Sequence, residues 1–159
     1  MPRYGPLQVL NDGVVLGDPG RRNLLLVPDG LHYRDASEVQ HRYSWDEVTS
    51  LGIDVPTTRF RFPGVISGVV SVVLVAFTQE DPHLDPAEGS VSITTSDSAT
   101  TLPLDRHHLG SYWVEAVRRT QRMLDRLLTD PPSRRLLRHP RTLLRAVAAP
   151  RTPDGRLGP

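Results

Sequence analysis

The sequence predicts a mainly-β domain closed by a C-terminal α-helix and followed by an arginine-rich helical extension. Three observations carry this prediction. Before Leu109, short apolar runs are punctuated by turn clusters such as Asn11-Asp12-Gly13, Gly17-Asp18-Pro19-Gly20 and Pro28-Asp29-Gly30. From Leu109 to Leu128 apolar residues recur at helical spacing instead. From Ser133 to Ala149, leucines and arginines divide between the two sides of a helical wheel.

In chain order, Leu7–Leu10 and Val14–Leu16 read as a hairpin about Asn11-Asp12-Gly13. Asn23–Val27 is a continuous apolar run, and Pro28-Asp29-Gly30 turns it into Leu31–Arg34, because Asp-Gly is favoured hairpin-loop chemistry. Val39–Trp45 is a further strand. Asp46–Leu51 fits either a short helical turn or a bulged strand, which periodicity does not separate. Gly52–Val55 and Thr58–Phe62 flank a kink at Pro56, since proline cannot donate to a central ladder. Val69–Phe77 is rich in valine and apolar on both faces, as in the best-buried strand. Gln79–Gly89 reads as a mobile acidic loop. Val91–Thr95 and Thr100–Leu104 form a last hairpin around Ser96-Asp97-Ser98.

The helical stretch places Trp113, Val117, Thr120, Leu124 and Leu127 or Leu128 on one stripe, with Tyr112, Ala116 and Met123 beside it. Arg118, Arg119, Arg122 and Arg126 fall opposite, with Glu115 four residues before Arg119. Pro131-Pro132 stops this helix. Ser133 is positioned to cap a second one beginning at Arg134. There Leu136, Leu143, Leu144 and Val147 gather on one side with Leu137 at the margin, and Arg134, Arg138, Arg141 and Arg145 gather on the other, flanked by Arg135. Pro140 kinks or splits it. The organisation expected is therefore a domain over residues 7–129, a basic amphipathic extension over 130–149 and a disordered tail over 150–159.

All 19 basic residues are arginine, as in proteins from GC-rich bacterial genomes, and their distribution is uneven. Residues 1–108 hold 8 Arg against 14 Asp and Glu, and residues 109–159 hold 11 Arg against 4, so the two parts carry about −6 and about +7. Such a split serves either an internal interface between the two parts or a basic surface for an outside partner. The absence of cysteine excludes a disulfide frame and a thiolate metal site and agrees with a cytoplasmic setting. The N-terminal residues lack the apolar stretch of a secretory signal. Gly64–Phe77, the most apolar segment, is shorter than the roughly 18–20 residues of a membrane-spanning helix.

The run Asp29-Gly30-Leu31-His32-Tyr33-Arg34, then Tyr43-Ser44-Trp45-Asp46-Glu47-Val48, then the closing strand and helix from Thr101 to Leu128, resembles bacterial pleckstrin-homology-like (PH-like) domains. The shared pattern is Gly-(Leu/Ile)-x-(Tyr/Trp)-Arg followed by (Ile/Tyr)-x-Trp-(Asp/Glu)-(Glu/Asp)-(Ile/Val), and the likeness spans residues 7–128. It implies a strongly bent antiparallel sheet closed into a barrel, with the helix plugging one end and Trp113 and Leu124 in the core. Such barrels serve as lipid binders, peptide binders and passive scaffolds, so the resemblance fixes no activity. At the loop where phosphoinositide-binding members carry a basic cluster, this chain has only Arg21 and Arg22.

Catalytic constellations are not legible. His32, His41, His83, His107, His108 and His139 are scattered, and no two stand four apart on a helix with a carboxylate at ligand spacing. Asp46 and Glu47 are adjacent and point apart on regular structure, as in a capped turn. No serine sits in a Gly-x-Ser-x-Gly elbow, and Gly13, Gly17 and Gly20 lack the setting of a phosphate loop. Arg59-Phe60-Arg61-Phe62 alternates, placing the rings in a core and the arginines in water. The sequence thus predicts a non-enzymatic interaction or scaffold module without cofactor or nucleic acid. Arg118, Arg122, Arg126, Arg134, Arg138, Arg141 and Arg145 are its expected contacts with a protein partner. Two alternatives stand beside it: docking on an anionic membrane at the inner face through the basic helix, and a small-ligand barrel.

Overall fold

The structure, a computed structural model, describes residues 2–59, 89–107 and 111–149. The strand expected at Val69–Phe77, the Phe60-Arg61-Phe62 alternation, the acidic loop before Gly89 and the tail 150–159 lie outside the described residues. Six strands form an antiparallel meander in chain order: β1 (Arg3–Tyr4), β2 (Leu7–Val9), β3 (Val14–Gly17), β4 (Asn23–Val27), β5 (Gly30–Asp35) and β6 (Glu38–Ser44). The first of these was not legible, because two residues between Pro2 and Gly5 leave no period to read. After β7 (Val48–Asp54) and the short β8 (Thr57–Thr58), strands β9 (Gly89–Thr95) and β10 (Ala99–Leu104) complete a second antiparallel sheet in the order β10-β9-β7. Among the described residues no ladder closes the two sheets on each other.

The Pro28-Asp29-Gly30 turn works by a different route from the one its Asp-Gly pair suggests. Val27 pairs directly with Gly30, so the two loop residues are Pro28 and Asp29, neither at positive φ. Proline fixes the first torsion, and glycine serves as the first residue of β5. A Cβ there would lie 2.3 Å from the Tyr43 carbonyl oxygen of β6. The open choice at Asp46–Leu51 resolves as turn plus bulged strand: Glu47 accepts a hydrogen bond from the Ser44 N–H at 2.7 Å, and the register of β7 on β9 slips between Val48 and Ser50.

Every residue of β4 is buried. Leu24 and Leu26 join Leu7, Leu16, Leu31 and Ile93 in the main core, while Leu25, Val27 and Val15 form a smaller cluster on the other face. Trp45 is 2% exposed in the main core, its indole N–H donating to the Val27 carbonyl at 2.8 Å. The two sheets meet at a polar junction. Asp105, just beyond β10, accepts from Arg22 Nε and Nη2 at 3.0 Å each and from the Arg22 N–H at 3.1 Å. Its own N–H donates to the Arg22 carbonyl, and its carbonyl accepts from the Asp18 N–H. Gly17, at φ +95°, lets the backbone pass close to that carbonyl, 3.0 Å from where its Cβ would stand.

Helix α1 (Val114–Thr129) begins five residues later than the helical period predicts. Tyr112 and Trp113 are extended instead and form β11, paired parallel with β8. Trp113 is accordingly half-buried rather than core, whereas Leu124 is fully buried as the resemblance implies. Thr120, Leu124 and Leu127 are buried as expected, and Ala116 and Met123, expected beside the stripe, are buried with them, whereas Trp113 and Val117 are only half-buried. Helix α1 lies on β7, where the Gln121 side-chain amide donates to the Leu51 carbonyl at 2.7 Å and accepts from the Ile53 N–H at 3.2 Å. A side chain thus pairs a strand edge that would otherwise be open.

The arginine-faced helical layer as a candidate interaction surface

After α1 the chain forms a 3-10 helix over Pro131–Arg138 and then α2 over Pro140–Ala148. Pro131 and Pro140 each stand at the first position of their element, where a missing N–H costs nothing. Pro140 therefore splits the segment. Ser133 does not cap a helix starting at Arg134. It lies inside the 3-10 turn, its N–H bonded to the Asp130 carbonyl at 2.9 Å and its hydroxyl donating to the Asp130 carboxylate.

The tighter winding also corrects the expected apolar face. At three residues per turn, a wheel drawn at 100° loses phase. Leu137, expected at the margin, is 1% exposed, and Leu136, expected on the face, is 42% exposed. Leu143 and Leu144 are buried as expected, with Val147 half-buried. Leu137, Leu143 and Leu144 belong to the same core as the strands, so the extension is a third layer of the molecule.

The predicted contact arginines fall into three groups. Arg134 is internal: it donates to the Leu127 carbonyl at 3.0 Å and the Leu128 carbonyl at 3.3 Å, meets Asp46 at 2.8 Å, and lies over the Trp45 ring at 5.7 Å. It caps the C-terminal end of α1, where carbonyls lack helical partners, and ties that end to the turn before β7. Arg122 and Arg126 are held but exposed. Arg122 pairs with Glu115 at 2.8 Å, and Arg126 donates to the Ser133 hydroxyl at 3.0 Å with Asp130 at 3.7 Å. Arg118, Arg138, Arg141 and Arg145 are exposed, their side chains make no hydrogen bond or ion pair among the described residues, and Arg135 is like them.

Sequence reading missed the role of Arg119. It bonds Glu115 at 3.1 Å and donates to the carbonyls of Val147, Ala148 and Ala149, capping α2 from α1. The Glu115–Arg119 spacing announced the first contact, but nothing local announces a cap some thirty residues away. Hydrogen bonds from Arg119 and then Arg122 hold the Glu115 carboxyl below the usual carboxylate range. At the sheet junction, burial pushes the Asp105 carboxyl up, and the hydrogen bonds and charge of Arg22 more than reverse it. Burial pushes the Tyr112 hydroxyl up to about 12.

Two clefts open on this layer. One, of about 370 Å³, lies between α1 and α2, with Met123, Leu136, Ala146 and Val147 among its apolar lining and Arg122 and Arg126 on its rim. The other, of about 380 Å³, lies where the 3-10 helix meets α2, between Arg138, His139, Arg141 and the Leu10-Asn11 turn. Among the described residues no three His, Asp or Glu side chains are grouped to hold a metal ion, and no helix is long and apolar enough to cross a membrane. No family model, no curated protein and no solved structure matches the chain.

Proposed function

We propose that this chain is a non-enzymatic interaction module of a cytoplasmic bacterial protein, built on a PH-like barrel, whose C-terminal helical layer meets an acidic partner protein. The observation that carries this reading is the division of labour within that layer. Leu124, Leu127, Leu137, Leu143 and Leu144 are spent inside the molecule, and two arginines, Arg119 and Arg134, cap helices. Arg118, Arg135, Arg138, Arg141 and Arg145 are left to solvent with no internal task among the described residues. A membrane surface is the second reading. Outward arginines favour it, at about 1 kcal/mol each near anionic lipid, but Leu137, Leu143 and Leu144 are not available for insertion. Arg22, engaged with Asp105, is not open to a phosphoinositide headgroup either.

The test is photo-cross-linking in cells from the full chain, with a photoreactive residue at position 138 or 145 and a control at position 38 on β6. Protein adducts from the first two positions, lost when Arg141 is changed to Glu and absent from the control, support the reading. Adducts of equal yield at all three positions sink it. So does sedimentation of the chain with phosphatidylglycerol vesicles at about 0.15 M salt, where exposed charge contacts are screened beyond about 8 Å.

A further inference from the structure

We infer that the groove between α1 and α2 anchors an acidic segment of the partner that inserts a large apolar side chain. This rests on the interaction reading above and gives it a place and a chemistry. The groove's two walls differ. On α1, Arg119, Arg122 and Arg126 follow one another at helical spacing along about 10 Å of axis. On the α2 side, Ala146 and the C-cap residue Ala149 are small and let a docking backbone come close. The floor is apolar, with Met123, Leu127 and Val147. At the lip stands Leu136, the one large apolar side chain that is exposed among the described residues.

Charge selects the occupant. Arg119 is engaged through Nε and Nη1, but the side chains of Arg122 and Arg126 are 49% and 71% exposed. Glu115 and Asp130 each occupy one edge of those guanidiniums and leave the remaining N–H groups to solvent. The helical layer as a whole holds nine arginines against three carboxylates over residues 111–149. A volume of about 370 Å³ is at the small end for ligand pockets, about 300–1,000 Å³, and suits an anchoring side chain or two. A segment with leucine or phenylalanine on one stripe and carboxylates beside it satisfies floor and rim together, in the helix-in-groove manner.

The probe is a fluorescein-labelled peptide of about 14 residues with leucine on one helical stripe and glutamate elsewhere, titrated into the full chain by anisotropy. Binding is expected, weakened about tenfold by Arg126→Glu or Leu136→Ser, since each 1.4 kcal/mol is tenfold. Ala146→Trp, which fills the groove without removing a contact, blocks it, and Arg42→Glu, the same charge reversal on exposed β6, leaves it unchanged. Circular dichroism melts of each variant verify folding. The inference is overturned if the peptide does not bind, if a lysine-for-glutamate peptide binds equally, if Ala146→Trp has no effect, or if phosphatidylglycerol vesicles displace the peptide and bind in its place. Cross-linking from positions 138 and 145 separates the two claims: adducts there without peptide binding remove the groove and keep the interaction reading.

Discussion

Arg22 and Arg134 each join two layers, with burial distributed in opposite ways. At the sheet junction the acid is hidden: the Asp105 side chain is 5% exposed and that of Arg22 35%. At the helix junction the base is hidden: the Arg134 side chain is 14% exposed and that of Asp46 85%. The buried member decides what breaking the pair costs, because it cannot turn to water. Asp105 has one guanidinium and one backbone N–H, both from Arg22. Arg134 has two helix carbonyls and an indole ring besides its carboxylate.

The strongest way to break the comparison is Arg22→Ala. A buried pair that loses one partner costs about 3–5 kcal/mol, and the partial exposure of Arg22 places this one at roughly 2–3 kcal/mol. The cost depends on pH. Asp105 has a lowered pKa in the folded chain, so its pairing contributes fully above the unfolded carboxylate value of about 3.9 and is lost as pH falls through the depressed folded value. Urea unfolding from neutral pH to about pH 2 then gives a wide gap between wild type and variant that closes on the acid side. A gap that is constant over this range contradicts the assignment.

Arg134→Ala has the next largest effect, about 1–2 kcal/mol from lost caps and the lost contact over Trp45. Arg134→Lys recovers little of it, since an ammonium cannot span the Leu127 and Leu128 carbonyls and Asp46 together. Thermal melts followed by tryptophan fluorescence measure both, and full recovery by lysine denies the forked geometry its role. Smallest is Asp46→Asn, within about 0.5 kcal/mol, because an exposed carboxylate is worth little. A larger loss in the same melts makes the two junctions alike after all.

What the sequence made legible follows from the range of the interactions. The hairpins about Asn11–Gly13 and Pro28–Gly30 are set by residues at the turn itself, and strands β2 to β6 fall within a residue or two of their reading. The start of α1 was placed too early because Tyr112 and Trp113 fit the helical period and are held extended by Thr57 and Thr58, far away in the chain. The exchange of Leu136 and Leu137 is a matter of winding, which a fixed angle per residue hides. Of the candidate contacts, the arginine face was legible as a charge pattern. That Arg134 turns inward, and that Arg119 rather than a side chain of its own caps α2, depends on which layers touch.

The meander has a consequence for how the chain assembles. Strands β2 to β6 are joined to their neighbours by loops of two to five residues, so each pairing closes a short loop. The contact of Arg22 with Asp105 instead spans 83 residues. Contact order therefore predicts that the first sheet forms early and by itself, holding Leu24 and Leu26 on a face that is apolar and still uncovered. The helical layer, synthesised after the strands, supplies Leu137, Leu143 and Leu144 to the same core. A nascent chain lacking that layer presents a sticky sheet, which makes residues 114–149 a guard against aggregation during synthesis.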